Sequence, residues 1–468
     1  MNSFKCKIIL ICLLLTLAIT FPVLAQPNDA DDGTILKEII IFGRHSIRSA
    51  TSDPSSLAQF AVDPYPDFSG VPKGYLTPRG QQAAVLLGAY FHDYLLNEGL
   101  LTGDIQTDLS CSYFRANSIQ RSNITAAKFG AGLIPGATIP VHSYPIADGN
   151  TPAVPDPVFD PILANVATVD PVRAVTEVQG IFSSGTAIAS AYSGELSLIR
   201  GVLYPPGTQP TPGAPQGSID PTSLPITLIA STSTLYTGGV INIGGLNLIS
   251  SAADPFVMQY ADNFSLDDVA WDRLSLDALS QQTRIINLIF NIEMLPPYLN
   301  RVQSSNVASH VLRTLEQAVL GEHVCLPGIF GNNTSRVHVI ISSDAYVIGL
   351  AGLLRLHWLL PGYQPDYCAP GGALVFELRQ SIKKKEYLVR VFYTAQTFDQ
   401  LRNLTPLTRD TPPAIMQLAV PGGSNSATDL DVRFTTFKKL LSEAIDQKYV
   451  QPFREEVPPG VLDNVPLD

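Results

Sequence analysis

The sequence predicts an α/β fold interrupted by a mainly helical insertion, and three observations carry that expectation. Ile39 to Phe42 run apolar without alternation into the polar corner Arg44-His45, as in a strand buried on both faces. The same grammar returns at Val337 to Ile341, where the strand pattern meets the corner Ser342-Ser343-Asp344 and then a helix with Val347, Leu350 and Leu354 on one face. Between the two, residues 151–300 change character. They are rich in Pro, Gly, Ser and Thr around "YPPGTQPTPGAPQGSIDPTSLP" and turn helical around "LDALSQQTRIINLIFNIEM".

Taken in order, the chain opens with Lys5 and Lys7, an apolar stretch "IILICLLLTLAITF" and then Val23-Leu24-Ala25, the pattern of a signal peptide over 1–25. An uncleaved signal anchor is the alternative. Residues 26–150 read as the first part of an α/β core, 151–300 as the inserted cap and 301–468 as the second part. In "LTPRGQQAAVLLGAYFHDYLL", Thr77 is placed to cap a helix that starts at Pro78 and carries Ala84, Leu87, Phe91 and Leu95 on one face. Near the end, "GALVFELRQ" and "EYLVRVFYTA" flank "SIKKK" as a hairpin, which makes Lys383 to Lys385 a solvated turn.

A net charge of −11 with only 15% charged residues argues against nucleic acid or anionic lipid as partners, since both require a basic face. A bound anion must therefore meet a local group of arginines. Beyond the signal segment the cysteines are Cys111, Cys325 and Cys368, an odd number that allows one disulfide at most. In an oxidising compartment Cys325 with Cys368 is the expected pair, as both flank the same carboxyl-terminal stretch. The cysteine spacing matches no zinc site, and no H-x-x-x-H or Asp-rich run offers another metal site.

An imidazole just past a strand and flanked by guanidinium groups is suited to attack phosphorus, with Arg44 and Arg48 neutralising the phosphoryl oxygens around His45. The spacing R-H-x-x-R alone equally fits a His and two Arg at a sheet rim. Arg121, in the first turn of a helix pattern, adds a cation where backbone amides also favour anions. Asp344 reads either as part of a helix start or as a proton donor to a leaving alkoxide.

Six segments, "FGRHSIRSAT", "GYLTPRG", "ANSIQRS", "DPVFDPI", "SSDAYVIGLAGLL" and "LPGYQPDYCAPGGALVFEL", resemble in order and spacing the histidine acid phosphatases, especially the bacterial 4-phytase and glucose-1-phosphatase branch. The resemblance covers nearly the whole chain after the signal segment. It implies a phosphoglycerate-mutase-like open sheet flanked by helices, an inserted helical cap, no cofactor or metal, and a phosphohistidine intermediate. Residue by residue, it implies His45 as nucleophile, Arg44, Arg48 and Arg121 as phosphate clamp, Asp344 as proton donor, and Thr51 as a substrate contact.

The departures are equally specific. The family's R-H-G has Ser46 here, the Pro before its Thr is Ala50, and its G-H-D corner is Ser342-Ser343-Asp344, so the second His, a donor to phosphate oxygens, is missing. Ser343 supplies a shorter hydroxyl donor in its place. Losing one preorganised donor slows such chemistry by about 100- to 1,000-fold without abolishing it. The expectation is a secreted or periplasmic acid phosphomonoesterase of reduced or altered activity, acting on a small phosphomonoester of the phytate or sugar phosphate type and free of the membrane once the signal is cleaved. The alternative is a phosphoester-binding protein on the same fold without turnover.

Overall fold

The computed structural model describes residues 32–231 and 240–452, so the expected signal segment lies outside the described residues. Within them, the central sheet has eight strands: β1 (Thr34–Arg44), β2 (Ser112–Ala116), β3 (Val141–His142), β4 (Val337–Ser342), β5 (Ala373–Ser381), β6 (Tyr387–Ala395), β7 (Ala414–Gln417) and β8 (Val432–Arg433). Their order is β7-β6-β5-β1-β4-β2-β3, with β8 also on β6. From β1 to β3 the neighbours are parallel, and from β1 to β7 they are antiparallel.

The run Ile39 to Phe42 lacks alternation because both faces of β1 are covered, and all four side chains are fully buried. Ile39 and Ile41 pack with Leu87, Phe91 and Leu95 of helix α1 (Pro78–Asn97) and Phe129 of helix α2 (Gln120–Leu133). Ile40 and Phe42 join the larger cluster on the opposite face, which takes in Val307, Val311 and Leu315. Helix α1 begins as its sequence predicts: Pro78 is its first residue, and the Thr77 hydroxyl accepts from the Gly80 amide at 3.0 Å. Gly80 is required for close approach. A Cβ there would meet the Ile47 carbonyl oxygen at 2.2 Å, so glycine lets the helix press on the loop that follows β1.

Between β3 and β4 the chain adds no strand to the central sheet among the described residues. It forms short hairpins and the helices α3 (Pro171–Phe182), α4 (Gly185–Ala191), α5 (Ser193–Leu203), α6 (Gly245–Ala261), α7 (Leu276–Glu293) and α8 (Pro297–Leu320). Helix α6 fastens the inserted helices to the sheet. Tyr65 donates to the Ala252 carbonyl at 2.9 Å, Arg402 to the Tyr260 carbonyl at 3.0 Å, and Thr77 to Asp262 at 2.5 Å. Thr77 thereby caps one helix and anchors the end of another.

The disulfide expectation is corrected by the structure. Cys111, Cys325 and Cys368 are all free thiols, with Cys325 exposed after α8 and Cys368 buried before β5, so the expected pair is not bridged. Lys383 to Lys385 are exposed in the β5–β6 turn, as the hairpin pattern predicts.

Burial pushes the Asp262 carboxyl up to about 6, against the opposing pull of its Thr77 hydrogen bond and Arg79. A folded-state value above the unfolded one means that folding takes up a proton, so this contribution grows as pH falls through 6 toward the unfolded value of 3.8 and is lost as pH rises. In calorimetric melts, wild type is expected to gain roughly 2 °C in Tm on Asp262→Asn between pH 7.5 and 5. A constant difference across that range would mean that Asp262 is ordinary when folded.

Candidate active site

Arg44 and Ser342, the last residues of the parallel neighbours β1 and β4, face each other in register. The chain leaves both strands at this point, and the next residue, His45, donates its amide to the Ser342 carbonyl at 2.9 Å. The loop before β5 closes the corner: Gly371 donates to the His45 carbonyl at 2.9 Å, and Arg44 donates to the Gly372 carbonyl at 2.8 Å. Gly371 does so at φ +71°, a conformation that favours glycine. Two strand ends and one loop thus fix the His45 backbone.

The His45 ring is equally constrained. It is buried, and its Nδ1 lies 2.9 Å from the Ser46 carbonyl, an acceptor, so Nδ1 carries the proton and Nε2 carries the lone pair. Burial, reinforced by Arg121, Arg44 and Arg48 in that order, holds the imidazole well below its ordinary value of 6.5. The ring is therefore neutral in mildly acidic solution, as a nucleophile must be.

Around it stand the cations. Arg44 donates to the Cys368 carbonyl and forms an ion pair with Asp344 at 3.0 Å. Arg48 pairs with Asp254 of α6 at 2.9 Å. Arg121 donates to Asn150 at 2.9 Å and the Gly74 carbonyl at 3.2 Å, while Thr125 links its backbone carbonyl to the Ser46 amide through bonds of 2.7 and 3.1 Å. Asp344 is the first residue of helix α9 (Asp344–Leu353). The helix start is braced from below by the "DPVFDPI" segment, where Asp160 accepts from Tyr346 at 2.5 Å, while buried Asp156 of the same segment accepts twice from Arg115 of β2 at 2.8 Å and once from the Val158 amide at 2.9 Å.

The sequence-predicted residues Arg44, His45, Arg48 and Asp344 thus sit at one corner, with Arg121 close enough to bear on the His45 charge. Ser343 occupies the N-cap position of α9, yet its side chain makes no capping bond and is only partly buried. Ser46 is fully buried with no hydrogen-bond partner for its hydroxyl. Thr51 is exposed on the bend beyond and lies outside the buried cluster.

Two residues escape sequence reasoning. Asp254 reaches Arg48 from the inserted helices, and its signal was a lone carboxylate beside Pro255 inside the apolar run "SAADPFVM". Tyr367 is buried with its hydroxyl beside Arg44, within a segment that carries the resemblance but was assigned no role.

The open sheet, the strand-end histidine and the arginines around it agree with the resemblance to histidine acid phosphatases, and the proteins to which the chain is similar are phosphatases and phytases. No family model matches it. It is 24% identical to a glucose-1-phosphatase of Providencia rettgeri over 95% of this chain and all of that protein, and 26% identical to the phytase AppA of Escherichia coli over 87% and 92%. Among solved structures, the apo form of the Hafnia alvei phytase matches with a TM-score of 0.77 and 26% identity over 91% of this chain and all of that one.

Asp254 occupies Arg48 that a bound phosphate would otherwise engage. Asp254→Asn is expected to tighten inorganic phosphate binding about 5-fold at pH 6, measured by calorimetry, because the competing charge is gone. Unchanged affinity would place Arg48 outside the anion site.

Proposed function

We propose that the chain is a secreted or periplasmic acid phosphomonoesterase that works through a phosphohistidine, with activity reduced by its altered corner. The observation that carries this reading is the His45 ring: neutral, its Nδ1 proton tied down, its Nε2 lone pair left beside three guanidinium groups. Nε2 forms the P–N bond as the ester P–O bond breaks, and Asp344 gives its proton to the leaving oxygen. The Asp344 carboxylate then takes a proton from water, whose oxygen displaces His45 and releases phosphate.

Charge balance supports acid conditions. Three arginines face Asp254, a dianionic monoester and Asp344, and the site is neutral overall only when Asp344 is protonated. The substrate expected from the relatives is an inositol or sugar phosphate; the Hafnia alvei enzyme has been crystallised with myo-inositol hexakis sulphate. In this reading the chain's own residues supply nucleophile, clamp and acid.

A second reading, phosphate binding without turnover, draws on Ser343, which offers no imidazole, and on Ser46, whose Cβ fills space that the family leaves to glycine. The two readings separate on one experiment. Wild type incubated with a labelled aryl phosphate and quenched in alkali should carry label on His45, and His45→Ala should lose both label and turnover by at least about 1,000-fold. Wild-type turnover in His45→Ala would end the mechanism. EDTA should leave the rate unchanged. Ser343→His should raise turnover roughly 10-fold or more at acid pH by restoring a donor; no gain alongside intact phosphate binding would favour the binding protein.

A further inference from the structure

The phosphatase reading, on which this inference rests, leaves the transferring phosphoryl group one donor short at position 343. Tyr367 lies within the same buried corner. It is 2% exposed and directly precedes Cys368, whose carbonyl receives Arg44. Its ring stacks on Tyr363 with centroids 5.7 Å apart, and its carbonyl accepts from the Trp358 indole at 3.0 Å, so neither ring nor backbone is free to swing. Its hydroxyl lies beside Arg44, whose charge acts on it, and feels the carboxylates of Asp254 and Asp344.

A guanidinium can only donate. Toward Arg44 the Tyr367 oxygen can therefore only accept, and its own proton has no protein acceptor among the described residues. Burial pushes the phenol up to about 12, so the proton stays in place at any pH where the enzyme would work. A neutral hydroxyl polarised by an adjacent cation is also a stronger donor than a free one.

The competing hydroxyls are less suited. Ser343 ends one bond beyond Cβ, about 2 Å short of where an imidazole Nε2 would reach. Ser46 is packed toward Gly371, its hydroxyl 3.8 Å from where a Cβ on that residue would stand.

We propose that Tyr367 donates its hydroxyl proton in a hydrogen bond to an equatorial oxygen of the transferring phosphoryl group, replacing the donor lost at Ser343. The bond strengthens as charge gathers on those oxygens in the transition state, so it acts on kcat more than on KM.

Tyr367→Phe keeps the ring and its stacking and removes only the hydroxyl. With an aryl phosphate, kcat is expected to fall about 10- to 100-fold while KM moves less than about 3-fold, and vanadate, which adopts the transition-state geometry, should bind weaker by the same factor as kcat. Adding Ser343→His to Tyr367→Phe should recover most of the loss, a larger gain than the same change gives in wild type. Wild-type kcat and vanadate affinity in Tyr367→Phe overturn the proposal. If wild type itself shows no turnover, the phosphatase reading fails and Tyr367 is judged on vanadate alone: a weaker Kd in Tyr367→Phe supports its role, while an unchanged Kd, or no vanadate binding by wild type, removes it.

Discussion

Arg44 ends the central strand with its guanidinium 2% exposed, and a buried charge of that kind must be answered before the chain can close around it. Three groups from two separate pieces of sequence answer it. The Cys368 carbonyl comes from the loop before β5, the Asp344 carboxylate from the first turn of α9, and the Tyr367 hydroxyl from the same loop as Cys368. Each of those pieces is held independently: the loop by Gly371 and Gly372, and the helix start by Asp160 through Tyr346. The demands of one cation thus bring His45, Asp344 and Tyr367 to the same corner.

The neighbouring imidazole experiences the opposite consequence. Burial and three guanidinium groups oppose a positive charge on His45, so the arrangement that would attract a phosphate also keeps this imidazole unprotonated. Asp254 moderates this field by neutralising Arg48 from α6, and it does so from the inserted helices rather than from the sheet. Attachment of those helices at Thr77 and Arg402 therefore has an electrostatic as well as a packing role, because it sets how much positive charge the strand ends present.

The sheet was legible because burial on both faces of β1 and β4 leaves an unalternating apolar run, and each run points to the polar corner at its end. Helix α1 was legible from its cap and its apolar face. His45, Arg44, Arg48 and Asp344 were legible because they follow those runs directly. Asp254 and Tyr367 were not, since each reaches the corner across more than a hundred residues of chain, and nothing local marks a carboxylate or phenol as bound for an arginine. The cysteines misled for a related reason: sequence position near a common segment says nothing of whether one thiol faces solvent and the other the core.

The altered positions also differ from the kept ones in what the fold demands of them. Arg44 and Asp344 answer each other, and removing Asp344 leaves the buried Arg44 charge without its carboxylate at a cost of about 3–5 kcal/mol, so stability favours keeping the pair. Ser343 makes no capping bond, and the Ser46 hydroxyl has no partner, so the family's His and Gly could be exchanged there without breaking a structural bond. His45 is the informative case. A neutral imidazole buried among cations with one nitrogen unused adds nothing that a smaller polar residue would not, and its depressed basicity makes the folded state lose stability as pH falls through 6.5. A chain under pressure only to fold would gain by replacing it. Its presence, with Nε2 left open, therefore argues for chemistry at this corner more strongly than the better-bonded residues around it do.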